Sequence, residues 1–247
     1  MQYKNTSKKN LIALIGFILF VAAFFTTRQE LTSSMSHISS IMVIIFAMPT
    51  YYAVVKTKGL RQGAVILLAL GIYALSIETS ALTTGFPYGD FKYSGVLGSK
   101  VFDITPWTVA FAYPPVLMLA HWYARKKTQK NLLVIVFTAL FATLIDMVLD
   151  PAAVRLGFWA WVEPGFYYGV PFVNFLGWLL TGAVGALLLQ IMWGSKKMPR
   201  SLAYSGAGIL WFWTAVNICL LQVIPSIVGI VLCAVVFYQL SSKNSRL

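Results

Sequence analysis

Charge is what this chain has least of. Only 11% of its 247 residues are charged, while 59% are hydrophobic and the mean hydropathy is +0.77. A water-soluble domain is about 25% charged and about 45–50% apolar, so a typical soluble enzyme, a disordered chain and a coiled coil are excluded. Cysteine is nearly absent too. Cys219 and Cys233 form no Cys-x-x-Cys pair and have no histidine beside them, which leaves zinc, iron–sulfur and thioredoxin-type chemistry without ligands. They read as inert buried thiols. Histidine is limited to His37 and His121, too few for the His-rich iron sites of membrane hydroxylases and desaturases. There is no Gly-x-Gly-x-x-Gly behind a strand, no Gly-x-x-x-x-Gly-Lys and no Gly-x-Ser-x-Gly, so nicotinamide, flavin, P-loop and serine-hydrolase readings have no support. The expectation is chemistry without a metal or other cofactor.

What the chain has in abundance is long apolar runs. A span takes roughly 20 mostly apolar residues. Candidates lie at Leu11–Thr27, Met35–Val55, Gly63–Leu82, Ile104–Tyr123, Asn131–Asp150, Pro171–Trp193, Ser201–Val223 and Ser226–Leu240. The fold class is therefore all-α, one polytopic helical membrane domain over residues 1–247. It has eight transmembrane helices, or seven if the short last run merges with its neighbour beside Pro225. Tyr113-Pro114-Pro115 predicts a kink or break in the fourth span. Lys4, Lys8 and Lys9 ahead of Leu11–Phe25 imitate a signal peptide, but the many later spans favour a retained first helix.

Lys and Arg number 19 against 7 Asp and Glu, a net charge of +12. Their positions explain the excess. With eight spans, 15 basic residues fall on one side (the groups around Lys8, Lys58, Arg125, Lys197 and Lys243) and 4 on the other (Arg28, Lys92, Lys100 and Arg155). Cytoplasmic loops collect Lys and Arg, so both termini are expected in the cytoplasm. The partner of this charge is anionic membrane lipid and not nucleic acid. The cell membrane is the expected location. Two long loops rich in Gly, Pro, Tyr and Trp, Thr83–Asp103 and Pro151–Val170, then fall outside, and loops of that length usually pack over something.

With seven acids, each can be weighed. Glu30, Asp90, Asp103 and Glu163 lie in loops and read as solvated. Glu78, Asp146 and Asp150 lie within apolar spans, where a carboxylate is expensive and points to function. Asp146 and Asp150 are four apart, so a helix stacks them on one face, about 5–6 Å apart between Cβ atoms. Pro151 should end that helix at Asp150. Glu78 nears the outer end of the third span and Asn174 opens the sixth, so three spans converge at one depth. The competing structural reading is an interhelical polar clamp. The Asn174, Trp178, Thr181 stripe reads more as helix packing than as a site.

Carboxyls, amides, hydroxyls and aromatic faces in an apolar cavity suit proton-initiated chemistry on an alkene. Burial and a second carboxyl in one site both favour the protonated form of an acid. Such an acid can protonate the less substituted carbon of a double bond, giving a tertiary cation. Aromatic faces such as Phe86, Tyr88, Trp159 and Trp161 can stabilise that cation. A water held by the other carboxylate and Asn174 then adds, whereas loss of a proton gives cyclisation or isomerisation.

The segments IETSALTTGFPYGDFKYSGVLGSKVF, AYPPVLMLA, ATLIDMVLDPAAVRLGFWAW and YYGVPFVNFLGWLLTG resemble the membrane carotenoid-biosynthesis proteins, the bisanhydrobacterioruberin hydratase and carotenoid 1′,2′-hydratase group. The shared pattern is Glu-Thr-Ser followed by Thr-Gly-Phe-Pro-Tyr-Gly, then Asp-x-x-x-Asp-Pro, then Gly-x-Pro-x-x-Asn-x-x-Gly-Trp, within residues 77–182. The resemblance implies a cofactor-independent hydratase (a hydro-lyase) adding water to the terminal double bond of an acyclic carotenoid, giving a tertiary alcohol. Other carotenoid-pathway enzymes are the possible protein partners. It carries Glu78, Thr84–Gly89, Asp146, Asp150, Asn174 and Trp178 as matching positions. On this reading Asp146 or Asp150 donates the proton, with Glu78 second, Asn174 positions water, and Phe86, Tyr88, Trp159, Trp161 and Trp178 hold the polyene end. A membrane lycopene-type cyclase and a non-catalytic carotenoid-binding scaffold or transporter are the alternatives. A magnesium-dependent prenyltransferase fits less well, since the chain has one Asp-x-x-x-Asp motif and the charge pattern puts it outside.

Overall fold

The computed structural model describes residues 3–194 and 196–242, with residues 3–12 as backbone only. Lys243 and Arg246, the side chains of Lys4, Lys8 and Lys9, and the polar tail past residue 242 thus lie outside the described residues. Eight helices carry the fold: α1 (Tyr3–Thr26), α2 (Ser36–Lys58), α3 (Leu60–Thr84), α4 (Val109–Lys127), α5 (Asn131–Arg155), α6 (Phe172–Trp193), α7 (Tyr204–Cys219) and α8 (Val223–Ser241). Among the described residues, α2, α3, α5, α6 and α8, and α7 together with the 3-10 turn Arg200–Ala203 before it, are long and apolar enough to cross a membrane. The last run forms a helix of its own, with Pro225 in its first turn, where no intrahelical N–H bond is lost.

The two helices left out are α1, of which only the stretch Ala13–Thr26 counts among the described residues, and α4. α4 packs against α2, α3, α5 and α7, and every residue from Tyr113 to Trp122 is buried. A helix clad in protein need not match the composition of lipid. Core side chains such as Leu119, Trp122, Phe141 and Leu210 interlock around its middle.

Proline breaks neither of the helices expected to yield to it: of the kink or break at Pro114-Pro115 the break is absent, and the expected end of α5 at Asp150 is corrected. α4 runs unbroken through Pro114 and Pro115, and α5 continues past Asp150 and Pro151 to Arg155. Proline lacks an N–H and strands the carbonyl four residues back. The Tyr51 hydroxyl donates to the Ala110 carbonyl at 2.8 Å, the acceptor Pro114 leaves open. The Tyr167 hydroxyl does the same for Met147 at 3.1 Å, the acceptor opened by Pro151. A donor from another element therefore replaces the missing bond, and the helix persists.

The two aromatic loops do pack over something, and over one end of the bundle. Strand β1 (Phe91–Tyr93) pairs antiparallel with β4 (Trp159–Trp161), with Phe91 opposite Trp161 and Tyr93 opposite Trp159. A shorter pair, β2 (Lys100–Val101) and β3 (Thr105–Pro106), closes the first loop on itself. Buried Tyr88, Phe91, Trp161, Tyr167, Val170 and Phe175 join this cap to α3 and α6. Gly177 makes the contact close: a Cβ there would stand 2.6 Å from the Pro87 carbonyl oxygen and from the Tyr88 ring. Glu30, Asp90, Asp103 and Glu163 are exposed, in line with their reading as solvated acids.

Candidate active site

Beneath the cap, α5 and α6 bring three polar side chains together. Asp146 and Asp150 project from successive turns of α5, and Asn174 comes from the first turn of α6. The Asn174 amide nitrogen donates to Asp146 Oδ2 at 2.8 Å and to Asp150 Oδ2 at 2.6 Å. All three are almost fully buried, with exposures of 1%, 4% and 2%. One amide has two N–H donors, and both are used in holding the two carboxyls side by side. The remaining oxygen of Asp146, Oδ1, has no protein partner.

The third intramembrane acid is held separately. The Tyr93 hydroxyl donates to Glu78 Oε1 at 2.5 Å. Tyr93 sits on β1 in the cap, and burial pushes its hydroxyl well above the ordinary tyrosine value, so it stays a donor. Among the described residues, no three acids, histidines or cysteines gather closely enough to hold a metal ion.

A cavity of about 320 Å³ opens onto this cluster. Glu78, Asp150 and Asn174 stand on its wall; Asp146 does not, and reaches it only through Asn174. The rest of the wall mixes aromatic rings with aliphatic side chains. Trp159, Trp161 and Tyr88 line it from the cap, and Trp178 and Tyr113 from the helices. Tyr113 and Trp178 rings lie 5.6 Å apart, and Tyr88 and Trp178 6.2 Å. These rings are fixed by polar contacts as well as packing: Trp161 Nε1 donates to the Tyr88 carbonyl at 2.9 Å, and the Tyr88 hydroxyl to Thr181 Oγ1 at 3.1 Å. Thr181 also accepts at its carbonyl from Tyr73 and Tyr113, which agrees with its reading as a packing residue.

Of the residues singled out from sequence, the fold brings Glu78, Asp150, Asn174, Tyr88, Trp159, Trp161 and Trp178 to one cavity and sets Asp146 directly behind. Phe86 is the exception. It is 64% exposed and off the wall, because the turn beyond Gly85 directs Pro87 and Tyr88 inward and leaves Phe86 outward. Sequence reasoning missed Tyr93, Phe91, Tyr113 and Phe158, together with Phe212 and Trp213 from α7. A three-residue strand such as β1 carries no readable period, so nothing local marked Tyr93 as the partner of Glu78. Six further aromatics among 37 Phe, Trp and Tyr residues offered no way of choosing them.

No solved structure matches the chain. It is 35% identical over 146 residues to the bisanhydrobacterioruberin hydratase of Haloarcula japonica, an overlap of 58% of this chain and 50% of that protein. The chain thus spans about half the length of that relative. The family described as carotenoid biosynthesis protein matches residues 36–236, a stretch that contains Glu78, Asp146, Asp150, Asn174 and the whole aromatic cap. This chain belongs to the carotenoid biosynthesis protein family.

Proposed function

We propose that this protein adds water to the terminal carbon–carbon double bond of an acyclic carotenoid, giving a tertiary alcohol. One observation carries the reading above the others: a buried pair of carboxyls bridged by one amide, with Asp150 and the amide on the wall of a cavity that is otherwise chiefly aromatic and aliphatic. The related hydratase of Haloarcula japonica supports the reaction class.

In this mechanism Asp150, the member of the pair on the cavity wall, gives its proton to the less substituted alkene carbon. The adjacent carbon becomes a tertiary cation facing Trp159, Trp161, Tyr88 and Trp178, whose ring faces attract positive charge. Glu78, oriented by Tyr93, holds the water that adds to this cation. The proton lost from the adding water returns to the carboxylates, so the acid is regenerated and the sum is alkene plus water to alcohol. Asp146 and Asn174 act as positioning residues that keep Asp150 aimed at the cavity. The chemistry draws on no redox step.

The same reading places all eight helices across the cell membrane with both termini in the cytoplasm. Residues at the C-terminal halves of α1, α3 and α5 and the N-terminal halves of α2, α4 and α6 share one cavity, which fits helices of alternating direction. Lys56, Lys58, Arg125, Lys126 and Lys127 sit at the opposite helix ends, as a cytoplasmic face would require.

The test is expression in a bacterial host that accumulates an acyclic carotenoid and has no other hydratase, followed by chromatography and mass spectrometry. A more polar pigment, heavier by one water and with its main absorption bands unchanged, is the expected product. A ring-ended product of unchanged mass would replace hydration by cyclisation. Absence of any product from several acyclic substrates would leave a non-catalytic pigment-binding scaffold or transporter.

A further inference from the structure

The cavity does not end at the carboxyls. Its other wing runs to the α1–α2 side of the bundle, where Ala22 and Thr26 of α1 face Ile38, Ser39 and Met42 of α2. Residues 35, 38, 39, 42, 43 and 46 all line it, a stripe at helical spacing that turns one face of α2 toward the cavity. Packing leaves this side open. Among the described residues α1 rests on α7, where Trp211 Nε1 donates to the Gly16 carbonyl at 2.9 Å and Ala23 packs on Ala215 and Val216. α1 makes scant contact with α2. Leu19 and Phe46 both reach the Gly208 position of α7, deeper along the two helices. Around the slot the outer surfaces are apolar, with Phe25, Ile38 and Ile41 each more than half exposed.

We propose that this slot is the lateral passage from lipid through which one end of the polyene reaches the carboxyls, with the conjugated middle of the molecule lying between α1 and α2 during the reaction. The proposal rests on the carotenoid reading above and names how that substrate is held. Size supports it. A volume of about 320 Å³ has room for roughly 20–30 groups of water size, fewer than the carbons of a full-length carotenoid, which number about 40 or more. An end group therefore fits inside and the remainder must project. Polarity supports it as well, since the acids and Asn174 stand at the deep end while α1 and α2 present chiefly aliphatic side chains. A consequence follows for a substrate with two identical ends: each end is hydrated in a separate visit, so the singly hydrated pigment is released before the second addition.

The test places bulk in the slot with Ser39→Trp and, from the opposite wall, Ala22→Trp. Ile45→Trp on the exposed face of α2 is the control. Turnover is compared for a full-length acyclic carotenoid and for a short isoprenoid with the same end group. Both slot variants are expected to shift the long-to-short turnover ratio by about tenfold against the long substrate, and Ile45→Trp to leave it unchanged. In a time course the wild type should accumulate singly hydrated pigment ahead of the doubly hydrated one. An unchanged ratio in both slot variants, or doubly hydrated product without the intermediate, overturns the passage. A separate measurement decides the case in which the wild type hydrates nothing: carotenoid retained on the purified Asp150→Asn protein. If Ser39→Trp removes that pigment, the passage stands and only hydration fails. If pigment is retained equally, the passage fails too.

Discussion

The Tyr167 hydroxyl donates to the Met147 carbonyl at 3.1 Å, and that carbonyl is the acceptor which Pro151, four residues on, cannot serve. The bond lets α5 run on through its proline, and it lies on the same stretch of helix as Asp146 and Asp150. Tyr51 stands in the same relation to Ala110 and Pro114 in α4. Removing either hydroxyl leaves a helix carbonyl without a partner, at a cost of about 0.5–2 kcal/mol. Tyr167→Phe and Tyr51→Phe should therefore lower thermal stability in detergent by similar amounts. Turnover is expected to fall more in Tyr167→Phe, because its segment of α5 carries the carboxyl pair. Equal turnover in the two variants would show that α5 keeps its course without Tyr167.

Asp150 and Asp146 are both nearly fully buried, yet only Asp150 stands on the cavity wall. Asparagine keeps the shape and cannot supply the proton. Asp150→Asn should lose about 10²–10⁴-fold in hydration, the range for a removed general acid. Asp146→Asn should lose less, since Asp146 is off the wall and bonded to Asn174. Product quantified by mass spectrometry ranks the two, and the reverse order would exchange their roles.

Gly177 is a point of close approach between α6 and the cap. A methyl group there would stand 2.6 Å from the Pro87 carbonyl oxygen and the Tyr88 ring, which is far inside contact distance. Gly177→Ala should push the cap off α6, costing about 1–3 kcal/mol, and loosen the Tyr88–Thr181 bond. Lower stability with reduced product is the expected pair of results. Gly182→Ala offers a milder comparison, with its nearest atom, the Ala139 Cα, at 3.0 Å.

Three cap tyrosines should set an alkaline limit on the fold. Burial raises Tyr88 and Tyr93 well above the ordinary value, and Tyr167 to about 12. A group whose pKa is higher in the folded state contributes its full stability below its unfolded value and loses it as pH rises. Stability should hold to about pH 10, where an unfolded tyrosine ionises, and fall above it. Tyrosinate absorbance should lag in the folded protein and rise abruptly on unfolding. Early, gradual titration of all tyrosines would mean that the cap is open to water.

Much of the molecule is legible in the amino-acid sequence. Long apolar runs have one stable outcome, because a backbone in lipid must satisfy its own hydrogen bonds, and a helix does so within a single segment. Scarcity of acids made Glu78, Asp146 and Asp150 conspicuous, and a spacing of four placed two of them on one helical face. Asn174 followed from its depth at the start of a span.

Tertiary structure decided what no segment carries alone. Whether Pro151 ends α5 depends on a tyrosine 16 residues further along that returns to cap the stranded carbonyl. That Asn174 bridges both aspartates, that Tyr93 holds Glu78, and that Phe86 faces away while Trp161 faces in are relations between distant residues, set by how the two loops fold back together. A local pattern records which face an element buries; which partner waits on that face is a property of the packed whole.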